Sequence, residues 1–254
     1  MDGLDPLRAE LDAWGEAGET ATLWWRDDDA EAPTDQVRRM LDLSARHAAP
    51  VFVAVVPGKA VDALAAPVLD CPTAVPVQHG WMHADHSPAD VKGKWELGLH
   101  RPVDAILEEL ARGRTRMIDL FDGRFQPMLG PPWNRIAPDL LPHLPAAGYD
   151  VLSVFGPRAA ACPVEGLRAV NGHCDIIGWK RDRAFIGADK TAGRLAEHLR
   201  ARRGGMVDAA EPTGLLTHVW LHDDAIWQVM DDLLALVAAH PAARWLGAAE
   251  VMHA

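Results

Sequence analysis

The chain of 254 residues has 49% hydrophobic and 24% charged residues, and its 36 acidic against 25 basic side chains give a formal net charge of −11. That balance excludes a disordered polyelectrolyte, and one short basic run, Arg200, Arg202 and Arg203, gives no footprint for nucleic acid or an anionic membrane. Three cysteines, Cys71, Cys162 and Cys174, are odd in number and not closely spaced, which argues against a disulfide framework or a cysteine zinc site and for a reducing compartment.

Residues 1–19 read as an acidic amphipathic helix with Leu4, Leu7, Leu11 and Trp14 at helical spacing, without the basic start and apolar core of a signal peptide. No apolar run reaches the roughly 18 residues of a membrane span, so the expected location is cytoplasmic. Strand-like runs follow at 22–25, 51–56, 74–78, 126–129, 150–154 and 214–219, with a weaker one near 175–177. Between them helical periodicity appears at Val37, Met40, Leu41 and Ser44 behind a Thr34 N-cap, at Val103, Ile106, Leu107 and Leu110, and at Leu140, Leu141 and Leu144. A last helix carries Ile226, Val229, Met230, Leu233, Leu234 and Val237 on one face. Strand then helix, repeated six or seven times, predicts a parallel α/β sheet, as a (β/α) barrel or doubly wound, in a single domain over 1–254. The polar connection 86–101 is long enough to suggest a functional loop.

Polar residues gather where strands end, which is where parallel α/β folds place their active sites. Asp27, Asp28 and Asp29 follow the first strand, and three adjacent carboxylates repel one another unless a cation or an arginine neutralises them. In His79-Gly80-Trp81-Met82-His83 the two histidines share one face if the segment is a helical turn. With a carboxylate from the triplet they form an Asp-His-His set for a divalent metal with a position open for water. Zinc is the first choice for such ligands, and cobalt, nickel or iron would also accept them. His218 closes the last strand, placed for a general acid across the barrel mouth. His222 and Asp223 read as the start of a helix.

In this order the clusters resemble the polysaccharide deacetylase family, the NodB-homology fold of carbohydrate esterase family 4, across roughly residues 20–245. The resemblance is carried by Arg26-Asp27-Asp28-Asp29-Ala30, His79-Gly80-Trp81-Met82-His83, Gly130-Pro131-Pro132-Trp133, Asp175 to Trp179, and Leu216-Thr217-His218. It implies a single distorted (β/α) barrel of about seven parallel strands, and a metal-dependent hydrolase that removes an acyl group from an N-acetylated sugar or related amide. It implies Asp28 as base, Asp29, His79 and His83 as metal ligands, and His218 as acid. A one-residue slip would instead make Asp27 the base and Asp28 the ligand. Pro132, Trp133, Arg135, Asp175 and Trp179 fall at substrate-binding positions, whereas Trp220 reads as core. The family's bracing arginine is replaced by Gly130, so Arg26 or Arg135 is left to supply that charge, and Gly80 replaces a Ser or Thr. The alternative reading is a catalytically silent, carbohydrate-binding relative.

Overall fold

The computed structural model describes residues 3–180 and 183–254. Met1 and Asp2 of the expected N-terminal helix lie outside them. In chain order the elements begin with α1 (Asp5–Glu16), β1 (Ala21–Ala30), α2 (Asp35–Arg46), β2 (Val51–Val55), α3 (Ala65–Asp70) and β3 (Ala74–Gln78). Then come α4 (Val103–Phe121), β4 (Met128–Leu129), β5 (Val151–Leu152), β6 (Arg168–Ala169), β7 (Cys174–Asp175), β8 (Ile177–Gly178) and β9 (Ala184–Phe185). The chain ends with α5 (Ala188–Arg203), β10 (Thr213–Thr217), α6 (Asp224–Ala239), β11 (Ala243–Trp245) and α7 (Ala248–His253).

The main sheet runs β6-β5-β4-β3-β2-β1-β10-β7 with every pairing parallel, and β11 adds to the start of β1. The two ends of this path belong to one extended run, 168–175. Its first half pairs with β5, where Gly172 N–H donates to Val154 O at 2.9 Å, and its second half pairs with β10, where His173 N–H donates to Gly214 O at 2.7 Å. Taking β6 and β7 as one stave, the sheet closes into a distorted (β/α) barrel of the expected size, with the helices around it.

Side chains on β1 alternate between the two cores, as strand geometry requires. Trp24 packs inward with Phe52, Val77 and Val170, whereas Trp25 joins the outer layer with Leu7, Met40 and Leu234. Both rings are buried, so these two tryptophans build the core rather than a sugar-binding groove. Outside the barrel, Thr34 Oγ1 accepts Val37 N–H and caps α2, a contact worth about 1 kcal/mol. Asp223 does the same for α6, as the start of a helix there predicts. Arg200 and Arg203 pair with the buried Glu10 of α1, and Arg202 donates to Thr22 O, so the basic run is a structural clasp.

Two local expectations change. β1 continues through the aspartate triplet to Ala30 instead of stopping before it, because its pairing with β2 extends to Ala30 and Val55 across an irregularity after Asp27. The run around Leu140 forms a 3₁₀ helix, Pro138–His143, since Pro142 cannot donate the hydrogen bonds of an α-helix interior.

Closure leaves no room at Gly214, where a Cβ would lie 2.3 Å from Asn171 O and 2.7 Å from Trp24 Nε1. Gly214→Ala should therefore lower the unfolding free energy by about 1–3 kcal/mol in urea titrations, the usual range for overpacking. A second prediction concerns the opposite end of the barrel from the aspartates, where burial and neighbouring His173 and Arg202 lower the His198 pKa from 6.5 to about 3. The folded state keeps this ring neutral while the unfolded chain protonates it, so its contribution to stability is intact above pH 6.5 and is lost as pH falls toward 3. The urea midpoint should drop through that window, and His198→Asn should flatten the slope.

Candidate active site

The triplet at the end of β1 is solved residue by residue. Arg26 and Asp28, two positions apart, share the inner face. The Arg26 guanidinium is fully buried and grips Asp28 with both arms, Nε 2.8 Å from Oδ1 and Nη2 3.0 Å from Oδ2. Its remaining donors reach Ser153 O at 2.8 Å, Ser153 Oγ at 2.6 Å and Asn134 Oδ1 at 2.5 Å. The cation therefore ties β1 to the ends of β4 and β5 across the barrel.

Asp27 points the other way. Its Oδ2 accepts Thr217 Oγ1–H at 2.6 Å and Val219 N–H at 3.0 Å, and burial pushes its pKa well above the usual carboxylate range. Trp25 Nε1 donates to the same Thr217 hydroxyl at 2.8 Å, which ties the segment leading into His218 to β1.

Asp29 lies in the irregular stretch near the end of β1, with a φ of +73°. Its Oδ1 lies 3.2 Å from Nε2 of His79 and 3.2 Å from Nε2 of His83, and its Oδ2 accepts Trp220 Nε1–H at 3.1 Å. Burial raises the Asp29 pKa, but the His79 contact and the charges of His79, His218 and His83 outweigh it and hold the carboxyl well below its ordinary range. His79 is raised despite burial, through Asp28 and Asp29, and burial lowers His83. One carboxylate oxygen and two imidazole nitrogens converging on a shared point are a donor set suited to a divalent cation, with coordination positions left for water and substrate. The His79–His83 segment is not the helical turn that its spacing suggests. Gly80 at φ +58° and His83 at φ +51° fold it back so that both rings meet Asp29.

His218, buried at the end of β10, has Nδ1 3.8 Å from Asp175 Oδ1. Asp175 is fixed by Ile177 N–H at 2.8 Å and Trp179 Nε1–H at 2.6 Å, and the Trp179 ring meets His218 edge-on at 4.7 Å. Burial raises the Asp175 pKa. A cavity of about 410 Å³ opens beside Asp28, Asp29, Glu31, His83 and Trp220.

The other expected residues stand at different places around it. Asp175 stands behind His218. Pro132 is buried against Gly80, and Arg135 donates to Lys94 O at 3.2 Å, so among the described residues the guanidinium that braces Asp28 is that of Arg26. Trp133 packs on His83 at 4.4 Å, and Trp220, expected in the core, is 48% exposed at the mouth 6.5 Å from Trp179. Sequence reasoning missed Ser153 and Asn134, which carry no pattern of their own. The Arg26–Asp28 pair had one, since positions i and i+2 of a strand share a face.

A second cluster, His173, His198 and Glu211, also brings metal-type donors together. There His173 Nδ1 accepts Gly214 N–H at 2.9 Å, which puts the ring proton on Nε2, 3.4 Å from Glu211 Oε2. That nitrogen carries the proton toward the carboxylate and has no lone pair for a metal.

No protein-family model and no curated protein matches the sequence. Solved structures do match. A protein from Mycobacterium smegmatis described as a polysaccharide deacetylase superposes with a TM-score of 0.65 at 17% identity, over 93% of this chain and 90% of that one. The peptidoglycan deacetylase PdaC from Bacillus subtilis gives a TM-score of 0.56 at 12% identity, over 92% and 91%. A family 4 carbohydrate esterase from Streptomyces lividans gives 0.53 at 13%, over 87% and 88%. The fold is that of the polysaccharide deacetylases. The resemblance read from five short motifs thus extends to the path of almost the whole chain.

Breaking the Arg26–Asp28 pair should be costly, because removing one partner leaves a buried charge uncompensated. Arg26→Met should lower stability by about 3–5 kcal/mol in chemical denaturation, and adding Asp28→Asn should recover part of the loss.

Proposed function

We propose that the protein is a metal-dependent hydrolase that removes an acyl group, in the simplest case acetyl, from an N-acylated sugar or a related amide. The observation that carries this reading is the meeting of Asp29, His79 and His83 at one point, with Asp28 and His218 alongside. Relatives in fold are described as acting on polysaccharide and peptidoglycan, which supports a glycan as substrate. Asp29, His79 and His83 would hold the cation, with zinc the first choice for two imidazoles and a carboxylate. When bound, it supplies a Lewis acid for the acyl carbonyl and for water.

The chain's own groups then divide the proton transfers. Asp28, held in place by the Arg26 fork, takes the proton of the attacking water. His218 delivers a proton to the departing nitrogen, with Asp175 3.8 Å from Nδ1 on the other side of the ring. Trp179 and Trp220 present exposed rings at the mouth on which a sugar face can stack. The reading as a silent binding relative drew on the missing arginine at Gly130, and Arg26 at Asp28 removes that support.

Metal content decides the matter first. Wild type should carry about one equivalent of metal, and Asp29→Ala and His79→Ala should lose it. On an acetylated chromogenic ester or an N-acetylated oligosaccharide, Asp28→Asn and His218→Ala should keep the metal but lose about 10²–10⁴ in kcat. Wild type that takes up no metal after incubation with zinc would end this proposal.

A further inference from the structure

Glu96 belongs to the polar connection 86–101, yet its side chain is fully buried. The carboxylate turns into the His79–His83 segment and accepts three backbone N–H groups. Trp81 N donates to Oε2 at 3.1 Å, Met82 N to Oε1 at 2.7 Å and Ala84 N to Oε1 at 3.3 Å. These donors bracket His83 in sequence, and His83 sits at φ +51°, a conformation that a non-glycine residue holds only under external restraint.

The restraint is anchored at both sides. The residue after Glu96, Leu97, is buried and bridges to Ile136, with Ala137 N–H donating to Leu97 O at 2.8 Å. On the far side of the segment, Trp81 O accepts Gly58 N–H at 2.9 Å. Gly80 completes the arrangement. A Cβ there would stand 2.0 Å from Glu96 Oε2 and 2.6 Å from Pro132 Cδ, so the space a side chain at position 80 would need is filled by the carboxylate and the proline.

Resting on the metal reading of Asp29, His79 and His83, we propose that Glu96 is the positioning residue for His83. It fixes the backbone that aims Nε2 at the shared point, and so sets the metal affinity and geometry of the site without touching metal or substrate. Its two oxygens do work that no single-acceptor side chain can repeat. In Glu96→Gln one oxygen becomes an NH₂ group facing a backbone N–H, while volume and burial are kept.

The test compares wild type, Glu96→Gln, Glu96→Ala and His79→Ala. Zinc affinity is measured by competition with a chromophoric chelator, cobalt substitution is followed by its visible absorption, and the melting temperature is taken after chelation. Glu96→Ala should weaken zinc binding about 10–100-fold, the usual range for residues that orient a ligand, with Glu96→Gln smaller but in the same direction, and the cobalt band should shift in both. If Glu96→Ala does not fold, the isosteric Glu96→Gln decides. Zinc affinity and cobalt spectrum matching wild type in Glu96→Gln, with at most a lower melting temperature, would overturn the assignment and leave Glu96 a purely structural residue. If wild type itself binds no zinc, both the metal reading and this assignment fall. Normal binding in wild type, lost in His79→Ala and unchanged in both Glu96 variants, removes only the role of Glu96.

Discussion

Three consecutive carboxylates at the end of a strand paired on both sides set the problem that the surrounding structure solves. Left alone, Asp27, Asp28 and Asp29 would repel one another in a medium that screens poorly. Each is accommodated by different means: Asp27 by hydroxyl and amide donors on the β10 side and by burial that favours its uncharged form, Asp28 by a buried guanidinium, Asp29 by two imidazoles. The three partners come from three sectors of the barrel, so satisfying the triplet also fixes where β10, the β4 and β5 ends and the His79–His83 segment stand. Electrostatics and architecture are the same constraint here.

That constraint is met at the expense of backbone comfort. Asp29, His83, Trp133 and Asn134 all lie at φ between +51° and +73°, together with Gly80 at +58°. Non-glycine residues rarely adopt this region, and a cluster of them on three different strand-end segments marks the mouth as the place where strain has been concentrated. The barrel wall beneath is regular and apolar, with Phe52, Val53 and Val77 fully buried, and it supplies the stability against which the mouth is held.

Much of this was legible in the sequence. The alternation of apolar runs with helical periodicity predicted a parallel α/β sheet, and the ends of those runs located the site. The strand period also sorts the aspartates by face. Arg26 and Asp28 fall on one face and Asp27 on the other, so the partner of the middle aspartate was readable from the strand alone. Legibility ended where the backbone leaves regular structure. The turn at Gly80–His83 mimics the spacing of a helix without being one, and beside the right motif Arg135 is bonded to Lys94 O and Pro132 is packed on Gly80. Trp220 looked like a core residue because a single aromatic next to an apolar strand carries no sign of which way its short 3₁₀ turn will rotate it.

Gly80 and Glu96 compete for one space, and this joins two segments distant in sequence into a single unit. A side chain at position 80 is admitted only if the Glu96 carboxylate or Pro132 shifts, since a Cβ would stand 2.0 Å from Glu96 Oε2 and 2.6 Å from Pro132 Cδ. The carboxylate ends a flexible side chain, but moving it releases the backbone N–H groups of Trp81, Met82 and Ala84. Changes at 80 and at 96 are therefore coupled and their effects do not add, as for any two residues that share a contact.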